Sequence, residues 1–130
     1  MLVNKGIVGG SPQHRFMVSE MWAVEQHPEF DFYRFLDGLS KPNQLIVYDS
    51  INQILRVKGN QLAGSHWVKA LGSGLFEFRI SGPQLLVRIF FSFQAGRLIL
   101  LLGAYDKQQS PSRKKQQDEI SRARKRLRNE

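Results

Sequence analysis

The apolar positions of this chain change period partway along, and the change marks out its elements. Phe32, Phe35, Leu36 and Leu39 fall at i, i+3, i+4 and i+7. This spacing predicts an amphipathic helix over residues 28–39, with Pro28 in its first turn and Glu29 and Asp31 near the positive end of its dipole. Ser40 is the expected cap of a second helix, with Pro42 in its first turn, Val47, Ile51, Ile54 and Leu55 on its apolar face and Gly59 as its stop. Two consecutive helices of this kind form a hairpin. After a glycine-containing loop the period falls from 3.6 to 2. Phe76, Phe78 and Ile80 then share one face, as do Leu85, Val87, Ile89, Phe91 and Phe93. Gln94, Ala95 and Gly96 turn the chain into a third strand over residues 97–102, which completes an antiparallel meander. Ser110 and Pro111 predict a last helix with a narrow apolar stripe of Ile120, Ala123 and Leu127.

The N-terminal end is less periodic. Residues 1–13 hold three glycines and a proline and read as a poorly ordered arm. Residues 15–25 place Phe16, Val18, Trp22 and Val24 in a strand-like pattern, whereas Met17, Met21 and Ala23 fit a helix as well. With a first strand the order is β-α-α-β-β-β-α. That is an α+β fold in which an antiparallel sheet packs on an N-terminal helical hairpin and is followed by a basic helix, one domain over residues 14–130.

Charge adds a partner class to this picture. The chain of 130 residues carries a net charge of +8, and residues 107–130 alone hold nine basic and three acidic side chains. A polyanion, nucleic acid or acidic protein, is the partner this asymmetry implies. With no cysteine, disulfides, thiolate metal sites and a cysteine nucleophile are excluded, which suits a reducing cytoplasm. Residues 1–13 lack the apolar core of a signal peptide, and the apolar run over residues 85–102 is interrupted by Arg88, Gln94, Gly96 and Arg97, so a hairpin explains it better than a membrane helix.

The meander also groups chemistry. If residues 81–84 form a four-residue loop, Arg79 lies opposite Leu86 and Glu77 opposite Arg88, and Glu77, Arg79 and Arg88 share the face away from the helices. Two arginines projecting from a sheet suit a phosphate, because guanidinium forks bind its oxygens bidentately and keep their charge at physiological pH. Lys107 and Tyr105, just past the third meander strand, add a cation and a phenolic proton donor or stacking ring. Such a set can cleave RNA without a metal or other cofactor, the ribose 2′-hydroxyl attacking the adjacent phosphate while cations stabilise the developing charge. The bland alternative is a cross-strand ion pair of Glu77 and Arg88 on a solvated face. Arg113, Lys114, Lys115, Arg122 and Arg126 on the last helix are candidate RNA contacts, or simply a solvated helix face. His14, His27 and His66 lack ligand spacing, Trp22 and Trp67 read as packing residues, and Gly72-Ser73-Gly74 reads as a turn rather than a phosphate loop.

Residues 67–80, WVKALGSGLFEFRI, resemble the segment leading into the second strand of RelE/HigB-type toxins, especially the phage-derived branch with its pattern K-x-L-x-x-G-L-[YF]-E-[LF]-R. Residues 87–91 resemble that family's next strand, residues 101–107 its last strand and exit, and residues 119–126 its closing basic helix. The resemblance implies a RelE-like fold and the toxin of a type II toxin–antitoxin module. Such a toxin acts as an endoribonuclease on mRNA at the ribosome, and a small antitoxin that often carries a helix-turn-helix domain neutralises it. It further implies that Arg88 is the core catalytic arginine, that Arg79 holds a basic position of the preceding strand, and that Lys107 is the basic residue after the last strand. Here Gln108 and Gln109 follow Lys107, and no tyrosine follows Tyr105, a sparser set of proton-transfer groups than some relatives carry. Two alternatives share the fold: a ParE-like toxin that inhibits DNA gyrase, and a relative kept as an antitoxin-binding regulator.

Overall fold

The computed structural model describes residues 21–129. The arm read over residues 1–13 and most of the segment read as a first strand or helix lie outside the described residues. From Ala23 the elements are β1 (Ala23–Gln26), α1 (Phe32–Asp37), α2 (Lys41–Ser50), β2 (Val68–Gly72), β3 (Leu75–Gly82), β4 (Leu85–Gln94), β5 (Leu98–Asp106) and α3 (Arg113–Arg128). Helix α2 continues through a wider π-helical stretch, Ile51–Leu55, and a last turn, Arg56–Lys58. The five strands lie in the order β1-β5-β4-β3-β2. β1 runs parallel to β5, and the other pairs are antiparallel.

This is the α+β class expected, with two differences. The meander has four strands rather than three, because Val68–Gly72 is a strand, and the parallel β1 makes the sheet mixed. β2 shows no period of 2 because it is an edge strand. Only Val68 is buried, Lys69 and Ala70 are exposed, and a bulge between Ala70 and Gly72 displaces Leu71. The turn after it uses Ser73 at φ 55° and Gly74 at φ 82°, the paired left-handed conformations of a tight hairpin.

Helix α1 starts later than its apolar spacing suggests. The Asp31 carboxylate accepts from the Arg34 N–H at 3.0 Å and the Gln26 Oε1 accepts from the Phe32 N–H at 2.8 Å, so the first helical donors are satisfied from Asp31 onward. Pro28 sits before the helix, in a turn closed by the Phe30 N–H on the His27 carbonyl at 2.9 Å. Helix α2 matches expectation, with the Ser40 Oγ accepting from the Asn43 N–H at 3.3 Å. Gly59 ends it at φ +51°, and a Cβ there would fall inside the Trp22 indole. Trp22 in turn is clipped to the end of this helix: its N–H donates to the Arg56 carbonyl and the Arg56 Nε donates to its carbonyl, both at 2.9 Å. For α3 the cap is Ser112, whose Oγ accepts from the Lys115 N–H at 3.1 Å, rather than Ser110.

The sheet is covered on both faces. α1 and α2 pack Phe32, Leu36, Val47, Ile51 and Leu55 against Phe78, Ile80, Val87, Ile89 and Phe91. On the opposite face α3 lays Ala123, flanked by Ile120 and Leu127, over Leu75, Phe90, Leu100 and Leu102. Among the described residues no helix is long and apolar enough to cross a membrane, and the apolar run over residues 85–102 is the hairpin of β4 and β5.

Candidate functional site

The turn between β3 and β4 is tighter than a four-residue loop. Gly82 pairs with Leu85, leaving only Pro83 and Gln84 between the strands, so the register differs by two residues from the expected one. Arg79 therefore lies opposite Arg88, not Leu86, and Glu77 lies opposite Phe90, not Arg88. A shift of two preserves the side on which each residue sits, so Glu77, Arg79 and Arg88 still share a face. Arg88 is in turn opposite Tyr105 on β5. Arg79, Arg88 and Tyr105 thus form a row across three strands.

Tyr105 joins that row because of a defect in the ladder. Phe90 pairs with Gly103 but Phe91 pairs with Leu101, which leaves Leu102 as an extra residue on β5. Ile99 and Leu101 face the helical hairpin, and strict alternation would send Tyr105 the same way. The bulge reverses the sense, and Tyr105 packs instead with Leu100 and Leu102 under α3. Lys107 follows two residues later, its N–H donating to the Leu86 carbonyl at 2.8 Å just past the end of β5.

The face carrying the row is not the solvated surface expected for it. α3 covers part of it, and the Glu77 side chain is only 2% exposed, Arg88 15% and Arg79 36%. One carboxylate oxygen, Glu77 Oε2, meets both cations, 3.0 Å from Arg79 Nε and 3.6 Å from Arg88 Nε. Arg88 Nη1 also donates to the Val87 carbonyl at 3.3 Å. Beside them the Tyr105 ring stacks on Phe90 at 6.2 Å between centroids. The Tyr105 hydroxyl and Glu77 Oε1 are buried without a hydrogen-bond partner among the described residues. Burial, and next the Glu77 carboxylate, push the Tyr105 phenol above its ordinary value of 10.0, against a smaller opposing pull from Arg88. The raised phenol stays neutral at physiological pH and is a weaker acid than a free tyrosine, and its hydroxyl is buried within the row.

The basic residues of α3 divide by partner. Lys114 pairs with Asp118 at 3.1 Å, and Glu119 takes both Lys115 at 2.8 Å and Arg122 at 2.9 Å. Arg126 Nη1 donates to the Leu102 carbonyl at 2.7 Å, with its guanidinium 5.8 Å from the Phe30 ring centroid. Arg113 is exposed at the first position of the helix. Two residues not named individually from the sequence lie where the helix meets the sheet, and one of them fastens it. Arg124 donates to the Leu71 and Gly72 carbonyls, both at 3.1 Å, and Glu119 is buried against the sheet. Glu119 was signalled by its position one turn before Ala123 on the apolar stripe; Arg124 was not, since its acceptors are backbone groups at the β2 bulge. The described histidines, His27 and His66, have their contacts away from the row. The His27 Nδ1 accepts from the Glu29 N–H at 3.0 Å, His66 lies against Trp67 with 5.0 Å between ring centroids, and His14 is outside the described residues.

A mixed sheet held between a helical hairpin and a basic C-terminal helix, with cations aligned across its central strands, is the α+β architecture of RelE-like toxins. The chain belongs to the family of phage-derived Gp49-like proteins (DUF891), which matches residues 34–128 and so spans most of α1 and everything from α2 through α3. This is a family of toxin-like proteins associated with toxin–antitoxin systems. Neither the curated proteins nor the solved structures give a match to the chain.

Proposed function

We propose that this chain is the toxin of a HigB-like toxin–antitoxin module and cuts messenger RNA at the ribosome, which stops translation in the cytoplasm. The observation that carries the reading is the row itself: two guanidiniums on directly opposed residues, with a neutral phenol as the next residue across. In such a reaction the 2′-oxygen of a ribose attacks the neighbouring phosphorus as its proton leaves to solvent. The bond to the 5′-oxygen breaks, and a 2′,3′-cyclic phosphate forms. Arg88 and Arg79 hold and neutralise the non-bridging oxygens, Lys107 adds positive charge at the end of β5, and the leaving 5′-oxygen takes its proton from water, with the Tyr105 ring packed beneath the row as its support. The RNA backbone would run toward α3, where Arg113, Lys114, Lys115, Arg122 and Arg126 contribute positive charge. Arg126 acts mainly by holding α3, since the Leu102 carbonyl already takes it. The cognate partner is an antitoxin, here expected to be a small helix-turn-helix protein.

Induction of the chain without an antitoxin, followed by mapping of transcript ends, tests this reading. Arg88→Ala, checked for folding, should slow cleavage roughly 100- to 1000-fold, the cost typical of losing one donor to a developing oxyanion. Unchanged cleavage would remove Arg88 from the mechanism. A second reading is favoured by the buried Glu77, which already neutralises one of the two positive charges. In that case the chain is a ParE-like inhibitor of gyrase or an antitoxin-binding regulator. Intact transcripts with DNA damage would indicate the first, and harmless induction the second.

A further inference from the structure

We infer that Glu77 is a positioning residue, whose buried carboxylate grips Arg79 and Arg88 by their Nε atoms so that their outer forks converge on one phosphate. The inference rests on the reading that this row handles phosphate. Opposed like charges on neighbouring strands repel, and Arg79 and Arg88 are directly opposed. A single anion between them removes the repulsion, and Oε2 of Glu77 is that anion. The choice of Nε matters. Both cations face the carboxylate through the inner nitrogen, Arg79 Nε as a hydrogen bond at 3.0 Å and Arg88 Nε as a looser ion pair at 3.6 Å, and contact through Nε leaves the terminal edge for a second anion. Among the described residues neither terminal nitrogen of Arg79, and only Nη1 of Arg88, has an acceptor. Exposure rises from Glu77 through Arg88 to Arg79, so the carboxylate is the buried root of the cluster and Arg79 its most open member.

Packing does not explain a carboxylate at this position. Its neighbours on the same face are Leu75, Phe90 and Leu102, all fully buried, and Glu77 Oε1 has no hydrogen-bond partner among the described residues. A half-satisfied buried charge is costly, and an apolar side chain of similar volume would be less so. The other nearby acid, Glu119 on α3, is matched by Lys115 and Arg122 of its own helix and leaves the arginines to Glu77. What the carboxylate adds is orientation, together with a net charge of one rather than two on the arginine pair. Lower net charge weakens the grip on substrate before reaction, and fixed orientation strengthens it in the transition state.

Glu77→Gln in the full chain separates these effects. The probes are single-turnover cleavage of an mRNA held on the ribosome and binding to the same complex made with an mRNA carrying a 2′-deoxy sugar at the cleavage position, with the thermal midpoint as a folding check. The expected result is cleavage slowed at least about tenfold while affinity for the uncleavable strand stays equal or rises severalfold. If Glu77→Gln does not fold, Glu77→Asp keeps the charge but draws it back by one methylene, and should slow cleavage with affinity unchanged. Cleavage and affinity falling together with the thermal midpoint, or cleavage at the wild-type rate, would overturn the inference.

Should the wild-type chain cut no RNA, the nuclease reading fails separately and inorganic phosphate becomes the probe. Phosphate that shifts the Nε–H resonances of both arginines together in the wild-type chain, and unequally in Glu77→Gln, supports the clamp. Equal shifts in the two proteins overturn it.

Discussion

On the side of the helical hairpin, β3 and β4 turn Phe78, Ile80, Val87, Ile89 and Phe91 into a core closed by Phe32, Val47, Ile51 and Leu55, all of them fully or almost fully buried. On the side of α3 the same two strands present Glu77, Arg79 and Arg88 beside Leu75 and Phe90, and the helix that covers them brings one fully buried side chain, Ala123. The first face is held by apolar area. The second has a smaller apolar cluster around Phe90, Leu102 and Ala123, to which charged groups donating to backbone carbonyls are added, Arg124 to Leu71 and Gly72 and Arg126 to Leu102. Stability is therefore concentrated on one side of the sheet, and polar groups whose arrangement matters for chemistry on the other.

The widest separation between the two sides should come from deleting the Phe91 ring. Phe91→Ala is expected to cost roughly 3–5 kcal/mol in global stability, read as a drop in the denaturant midpoint. A loss well under that would mean that the hairpin face is not the main core. Arg124→Ala is the counterpart on the other face. It removes two hydrogen bonds from a partly exposed guanidinium, and is expected to cost about 1–2 kcal/mol of α3 docking. Amide exchange should speed up along α3 and stay unchanged in β4. Equal acceleration in both would show that the faces are one cooperative unit.

Tyr105 sharpens the comparison by pH. Its phenol is raised above 10.0 in the folded chain, so the protonated form contributes stability that is whole below pH 10.0 and is lost as pH climbs through the folded value. Tyr105→Phe should flatten that alkaline decline. It should also raise stability near neutrality by about 1 kcal/mol, because a buried hydroxyl without a partner disappears. A titration with the same slope in both chains would locate the decline elsewhere. The least effect is expected from Lys114→Ala, where the lost pair with Asp118 is exposed and should change the midpoint by at most about 0.5 kcal/mol.

How much of this was readable in the chain follows from the physics of each signal. Ser40, Pro42 and Gly59 bracket α2 through local rules, so sequence locates it well; the start of α1 is set by the Asp31 cap together with Gln26 from β1's end, which takes the Phe32 N–H. Alternation by two assigned Arg79 and Arg88 to one face even though the turn at Pro83 and Gln84 shifted their pairing. No local rule revealed that Leu102 would bulge, and the side taken by Tyr105 depends on that one inserted residue. The cover over the arginines was hidden for another reason. The stripe of Ile120, Ala123 and Leu127 on α3 says that the helix packs but not over which residues, because the anchors that fix its place are guanidinium-to-carbonyl bonds, which leave no apolar pattern.

The pairing of Ala23 with Leu98 has a consequence for the order in which this molecule can be completed. Chains emerge from the ribosome N-terminal end first. β1 is synthesised before every other strand, yet its one partner among the described strands, β5, is the last of them to be synthesised. The hairpin of helices and the turns at Ser73 and Pro83 can form from neighbouring residues as they appear, whereas the parallel edge must wait for a contact distant in the chain. A chain released before Leu98 would carry Arg79 and Arg88 but lack Tyr105, the helix above it and the partner strand for Val24. Unfinished copies of this protein are thus exposed at an edge and incomplete at the row, and only synthesis past α3 closes both.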